Sequence, residues 1–328
     1  MGGIETDGYR EALWPEVVLN LISREMQSAI GKPAKQEKSM TDAETKQAGT
    51  ALNQPQGLWK KTARRFAGLA LILVIAYGMA AGYMYLNQRS FIFVPSGELA
   101  EPSEKGLENV AVEKVQMADG TNVTVWTSAP VTPDTPTVLY FHGNSGNVST
   151  RWKRFKQILD SGYGLYAPSY RGYAGSEGSP SEAALVSDAL EHFDRLIASG
   201  TPIIVHGESL GSGVASAVAT ERPQAGLLVL EAPYTALVDM ASAQYPWLPV
   251  NFLMEDKMLT RERLPGVKAP VLIVHGTEDR IIPVEHGQRL FELASDPKQL
   301  LIVDGVGHSK LWANGLWPAV KEAWTQAQ

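Results

Sequence analysis

The stretch Ile203–Gly213, IIVHGESLGSG, decides the fold. Apolar β-branched residues run into Gly207, Ser209 follows two places later, and Gly211 and Gly213 come next. A short apolar run of this kind suits a buried strand, and the small-residue run GSGVASAVATE after it is helical in pattern. Two readings compete for the turn between them. It is an ordinary glycine-rich connection, or it is the sharp turn that lifts a nucleophilic serine above a sheet. The glycines suit the second, because side chains at 207 and 211 would clash as strand and helix close around a serine on strained backbone. The turn also puts Ser209 at a helix N-terminus, where free amides favour developing negative charge.

Working outward, the same rhythm repeats. TVLYFHG (137–143), YGLYAPSY (163–170), LLVLEAP (227–233), APVLIVHG (269–276) and KQLLIVDG (298–305) read as short apolar strands. Helical patterns lie between them, such as Pro180–Gly200, which Ser181 caps. Upstream, the alternation of 109–130 predicts a hairpin turning at Ala118–Thr121. Strands alternating with helices predict an α/β class, a mostly parallel twisted sheet covered on both faces. Ligands of such sheets bind beyond the carboxyl ends of the strands.

A serine needs a base, and the base needs an acid to fix its tautomer. Of the six histidines, His142, His206 and His275 end strands and read as structural, bonding nearby backbone. His192 and His286 lie in helical runs and read as surface or partly buried. His308, in the loop DGVGHSKLW after the last strand, is placed to reach over the sheet's end. Asp279, in HGTEDRIIP, follows a strand and stands between Ser209 and His308 in the chain; Glu278 and Asp239 are its rivals. The order Ser, Asp, His is the one this architecture uses. An oxyanion hole would draw on the backbone N–H groups of Leu210 and of Asn144, in the loop FHGNSGN.

LYFHGNSGN, YRGYAGSEGSPSE, HGESLGSG, EAPYTALVDMA, HGTEDRIIP and GVGHS, in that order, resemble the α/β-hydrolase superfamily, and most of all its single-pass membrane-anchored branch. The resemblance covers roughly Asn87 to the C-terminus. It implies a Ser209–Asp279–His308 triad, an Asn144/Leu210 oxyanion hole, an acyl-enzyme route to ester, thioester or amide hydrolysis, and no cofactor or metal. One departure is Ser169, where the branch usually carries Asp before YRG. A catalytically silent binding module of the same fold, or a serine peptidase, stands as the alternative.

The N-terminal quarter differs in kind. Phe66–Leu86, FAGLALILVIAYGMAAGYMYL, contains no charge and no proline, and about 20 apolar residues cross a bilayer. Lys60, Lys61, Arg64 and Arg65 flank its upstream side, which predicts a cytoplasmic N-terminus and an extracytoplasmic catalytic domain, periplasmic or lumenal. Gly78 and Gly82 form a GxxxG pair suited to weak homodimer contact. The expected organisation is a polar, disordered tail over 1–59, an anchor with its basic flank over 60–88, and an α/β-hydrolase catalytic domain over 89–328. Glu16–Ile30 has the pattern of a short amphipathic helix, and the acylation pattern at Gly2 is read as coincidence.

With 328 residues, a 44% hydrophobic composition and a formal charge of −6, the chain suits one large domain plus an appendage and not a nucleic-acid partner. The absence of cysteine excludes disulfides and thiolate metal sites. The partners expected are the bilayer and a small-molecule or lipid acyl substrate. SAQYPWLPVNFLMEDKM, 242–258, reads as a small apolar lid or as a helix packed on the sheet, and RWKRFK, 151–156, as a basic face toward anionic headgroups.

Overall fold

The computed structural model describes residues 56–328. The tail up to residue 55, with the Glu16–Ile30 run and the Gly2 pattern, lies outside the described residues.

Helix α1, Gln56–Ile92, overruns the expected anchor at both ends. It stops before Val94-Pro95, where proline pushes its predecessor toward extended backbone. By length and composition α1 is able to cross a membrane.

Eight strands then build one sheet: β1 Ala111–Gln116, β2 Asn122–Ser128, β3 Thr137–Phe141, β4 Gly164–Pro168, β5 Ile203–Glu208, β6 Leu227–Glu231, β7 Val271–Gly276 and β8 Lys298–Val303. Their spatial order is β8-β7-β6-β5-β3-β4-β2-β1. Strands β3 to β8 pair in parallel, while β2 runs antiparallel to both β4 and β1. The predicted hairpin is present: Met117 N–H donates to Thr121 O at 2.9 Å around Gly120, whose φ is +89°.

The connecting helices are α2 Trp152–Asp160, α3 Glu182–Ile197, α4 Leu210–Glu221, α5 Leu237–Gln244, α6 Val284–Leu293 and α7 Leu316–Gln326. Ser181 caps α3, its hydroxyl accepting from Ala184 N–H at 3.2 Å. Successive residues of each strand serve opposite faces. On β5, Ile203 and Val205 join a core with Leu185, Phe193, Val214 and Leu290, while Ile204 joins Phe155, Ile158, Val320 and Trp324 on the other side. Both faces are dry, which explains why the strands read as continuous apolar runs rather than alternating ones.

Strand β5 and helix α4 meet so closely that glycine is the one residue that fits. A Cβ at Gly207 would run into the Gly211 carbonyl and stand 2.7 Å from the Ala215 methyl, and one at Gly211 would run into the carbonyl of Phe141. Gly211→Ala is expected to destabilise by about 3 kcal/mol or more, since backbone has to move. Gly305→Ala, where φ is +68° but space is open, should cost only about 1–2 kcal/mol. Urea denaturation of the two variants checks the contrast.

Candidate active site

Every group expected from the sequence sits beyond the carboxyl end of a strand. Ser209 lies between β5 and α4 with φ +51° and ψ −114°. Its N–H donates to Glu231 O at 2.9 Å, and Ser212 Oγ donates to its carbonyl at 2.6 Å, so neighbours hold the strained turn from both sides. His308 follows β8. The two loops that carry Asp279 and His308 are stitched together: Glu278 N–H donates to Val306 O at 3.0 Å and Gly305 N–H to Thr277 Oγ1 at 2.9 Å.

The structure brings three side chains into a line. His308 Nε2 is 3.0 Å from Ser209 Oγ, and His308 Nδ1 is 2.6 Å from Asp279 Oδ2. The carboxylate is fully buried. Its other oxygen accepts from the N–H groups of Ile281 and Ile282, both at 2.9 Å. Burial alone would push this carboxyl up, but hydrogen bonds from His275 and His308, the His308 charge and the Ile282 amide outweigh it and hold the group well below the usual carboxylate range. The rivals are elsewhere. Asp239 pairs with Arg261 at 2.6 Å and accepts from Thr235, and Glu278 is exposed.

Asn144 closes the loop after β3. Its carbonyl accepts from Val94 N–H at 3.0 Å and from Tyr173 Oη at 2.7 Å, and its side-chain amide donates to Ile92 O at 3.2 Å. Among the described residues, no protein acceptor takes the backbone N–H of Asn144 or of Leu210. Two free amides therefore flank the serine's side of the sheet. Ser169 is buried and bonds within its own loop, its hydroxyl donating to Ala174 O at 2.9 Å.

The other histidines sort themselves by partners. His142 is buried, lies 2.7 Å from Gly143 O through Nδ1, and is pushed down to about 3 by burial and by the Arg151 charge. His192 is buried against Tyr166 Oη rather than at the surface, a correction to the pattern-based expectation: α3 turns that face onto the sheet. His206 bonds the Glu231 carboxylate at 3.1 Å and not backbone. His275 was missed. Its Nδ1 has no partner among the described residues, so the proton rests on Nε2, which serves Ile282 O at 2.8 Å and Asp279 Oδ2 at 3.3 Å. The spacing His275-x-x-x-Asp279, running from the end of β7 into the loop after it, was the available signal.

Directly beneath the serine turn lies a buried charge cluster that the sequence hid. Arg151 holds Glu208 through Nε at 3.0 Å and Nη2 at 3.1 Å. Arg154 bridges Glu231 at 2.7 Å, Glu208 at 3.6 Å and the Tyr140 hydroxyl at 2.8 Å. These arginines belong to RWKRFK, so the expected headgroup-facing patch is corrected: two of its four cations are spent inside the domain. Burial raises the Glu208 carboxyl, but the charges of Arg151 and Arg154 and their hydrogen bonds overcome this and hold it well below its usual range.

A model of the alpha/beta hydrolase family matches residues 138–255. Over 254 residues the chain is 33% identical to an uncharacterized protein of Mycobacterium tuberculosis, covering 76% of this chain and 90% of that one. The chain belongs to the α/β-hydrolase family. This α/β-hydrolase is also 27% identical over 275 residues to the lysophosphatidylserine lipase ABHD12 of Danio rerio, across 72% of its own length and 71% of the relative's. An esterase of Pyrococcus furiosus shares the hydrolase fold, with a TM-score of 0.57 at 18% identity over 71% of this chain and 97% of that one.

Removing Arg154 leaves two buried carboxylates with one cation. Arg154→Met is expected to cost about 3–5 kcal/mol in urea denaturation. A carboxyl whose pKa is depressed on folding contributes stability that is complete above the unfolded value, about 4, and is lost as pH falls through and below it. The wild-type midpoint should therefore drop from pH 6 to pH 3, and the variant's should drop less.

Proposed function

We propose that this α/β-hydrolase is a membrane-anchored serine hydrolase that cleaves carboxylic esters, with lipid esters or acyl thioesters as substrates, through an acyl-enzyme. The continuous line Ser209 Oγ, His308, Asp279, with contacts of 3.0 and 2.6 Å, carries the reading. Ser209 is the nucleophile. His308 Nε2 takes its proton as Oγ attacks the acyl carbon, while Asp279 fixes the Nδ1–H tautomer and stabilises the imidazolium. The amides of Leu210 and Asn144 receive the oxyanion, a service worth about 2.7–4 kcal/mol per donor in such sites. The leaving alcohol then collects the proton from Nε2, and water repeats the sequence to release the acid. A relative that is a lipase by name supports an ester over an amide.

The same proposal places α1 across the bilayer with its basic end cytoplasmic and the catalytic domain on the extracytoplasmic side. Open space at Gly78 and Gly82 leaves room for a second span, and weak pairing there belongs to this proposal.

A fluorophosphonate should label the intact protein at one serine, and Ser209→Ala should abolish the label and lower kcat by roughly 10⁶. Asp279→Asn should lower kcat by about 10⁴ while leaving substrate affinity nearly unchanged. An intact protein that never labels, followed by mass spectrometry, would instead be a binding module. For sidedness, protease added to sealed cells or spheroplasts should digest the C-terminal domain; digestion only after lysis reverses the orientation.

A further inference from the structure

Helix α1 carries its own depth scale. Arg64 and Arg65 stand at one end, and at the other Arg89 pairs with Glu255 at 3.0 Å and Asp256 at 2.9 Å. From Arg65 to Arg89 an α-helix measures about 36 Å. That is a hydrocarbon core of about 30 Å plus the reach of long cationic side chains at its edges. Tyr77 lies midway, about 18 Å from either collar.

Tyr77 is not alone at that depth. Its ring meets Trp247 edge-on with centroids 6.1 Å apart, and its hydroxyl donates to Trp247 O at 3.2 Å. From Trp247 the chain runs back alongside α1: Gln88 Nε2 donates to Leu253 O at 3.4 Å, and Tyr85 Oη to Glu255 at 2.9 Å. A segment attached to the catalytic domain therefore reaches the level of the middle of the span.

Its composition and backbone suit that level. Ala241–Met254 holds no Asp, Glu, Lys or Arg, while Trp247 is half exposed and Phe252 is 91% exposed. Hydrocarbon tolerates backbone whose polar groups are satisfied internally. Here Tyr245, Leu248, Val250, Phe252, Leu253 and Met254 all donate to carbonyls within Ala241–Val250, and Pro246 and Pro249 have no N–H to satisfy. The backbone amides of Trp247 and Asn251 alone in 245–254 lack a protein acceptor among the described residues. Between this segment and α1 lies an open apolar cleft of about 90 Å³, lined by Met84, Phe91, Ile92, Tyr245, Leu248 and Leu253 among others. One of its walls is Ile92, whose carbonyl accepts from the Asn144 side chain.

We propose that Ala241–Met254 is immersed in the hydrocarbon of the leaflet next to the catalytic domain, and that its cleft with α1 receives the acyl chain of a bilayer lipid from the side. The inference rests on α1 spanning the membrane. The anchor is then one wall of the substrate site. A substrate chain passes from bilayer to protein without crossing water, so the hydrophobic cost of extracting it largely disappears.

The chain lacks cysteine, so the full protein accepts a single nitroxide at any chosen position. In phosphatidylcholine nanodiscs, labels at Phe252→Cys and at Leu73→Cys in α1 should both be open to oxygen and shielded from a water-soluble nickel chelate. A shielded label at 73 with an open one at 252 overturns the immersed segment alone. Both open overturns the spanning helix and this inference with it. Leu248→Trp, which fills the cleft, should lower the ratio of long-chain to acetyl ester hydrolysis about tenfold, equivalent to lost contact with about two methylenes. An unchanged ratio overturns the acyl route.

Discussion

A serine held at φ +51° is the constraint on which the rest of the structure depends. Such a backbone costs on the order of 1–3 kcal/mol and persists only where its surroundings leave no alternative. The surroundings here are specific. Gly207 and Gly211 let β5 and α4 close to backbone contact, Glu231 O holds the serine amide, and Tyr234 Oη grips Leu210 O at 3.0 Å from the next strand connection. Beneath the turn, Glu208 and Glu231 are the last residues of adjacent strands, paired in register, and like charges so placed would repel. Arg151 and Arg154 supply the compensating charge from the loop and helix that follow β3. The loop after β3, α2 and the serine turn are therefore locked together by one buried cluster, which fixes Asn144 and Leu210 relative to Ser209.

Much of this was legible in the sequence because the fold writes its site at strand ends. Six apolar runs predicted the parallel strands, and the residues just after β3, β5, β7 and β8 supplied Asn144, Ser209, Asp279 and His308 as candidates. Local pattern suffices there, since each strand and its exit loop are contiguous. Charge pattern misled for a physical reason. RWKRFK has the composition of a solvated basic face, yet two of its arginines find acidic partners on β5 and β6, far along the chain, and partners at such separation leave no local trace. His206 and His192 were misjudged in the same way. A histidine's role follows from what faces it across the fold, and Glu231 or Tyr166 cannot be assigned to it by spacing on one element.

The segment after α1 was the least legible and ties the two halves of the protein together. Val94 and Pro95 pair in parallel with Ser145 and Gly146, and Ser96 N–H donates to Gly146 O at 3.2 Å. Asn147 Nδ2 reaches back to the carbonyls of Ser96 and Glu98 at 3.1 and 3.2 Å. Among the described residues the loop after β3 has no other strand partner, so the exit of α1 does for it what a neighbouring strand does for the sheet. A globular domain cut after the whole of α1 would lose the Ile92 carbonyl that holds the Asn144 side chain. It would also lose the α1 side chains that cover one side of Ala241–Met254. The last turn of α1 and the residues just after it are thus packed into the fold: they hold the loop after β3 through Ile92 and Val94, although the helix has a composition that suits a bilayer.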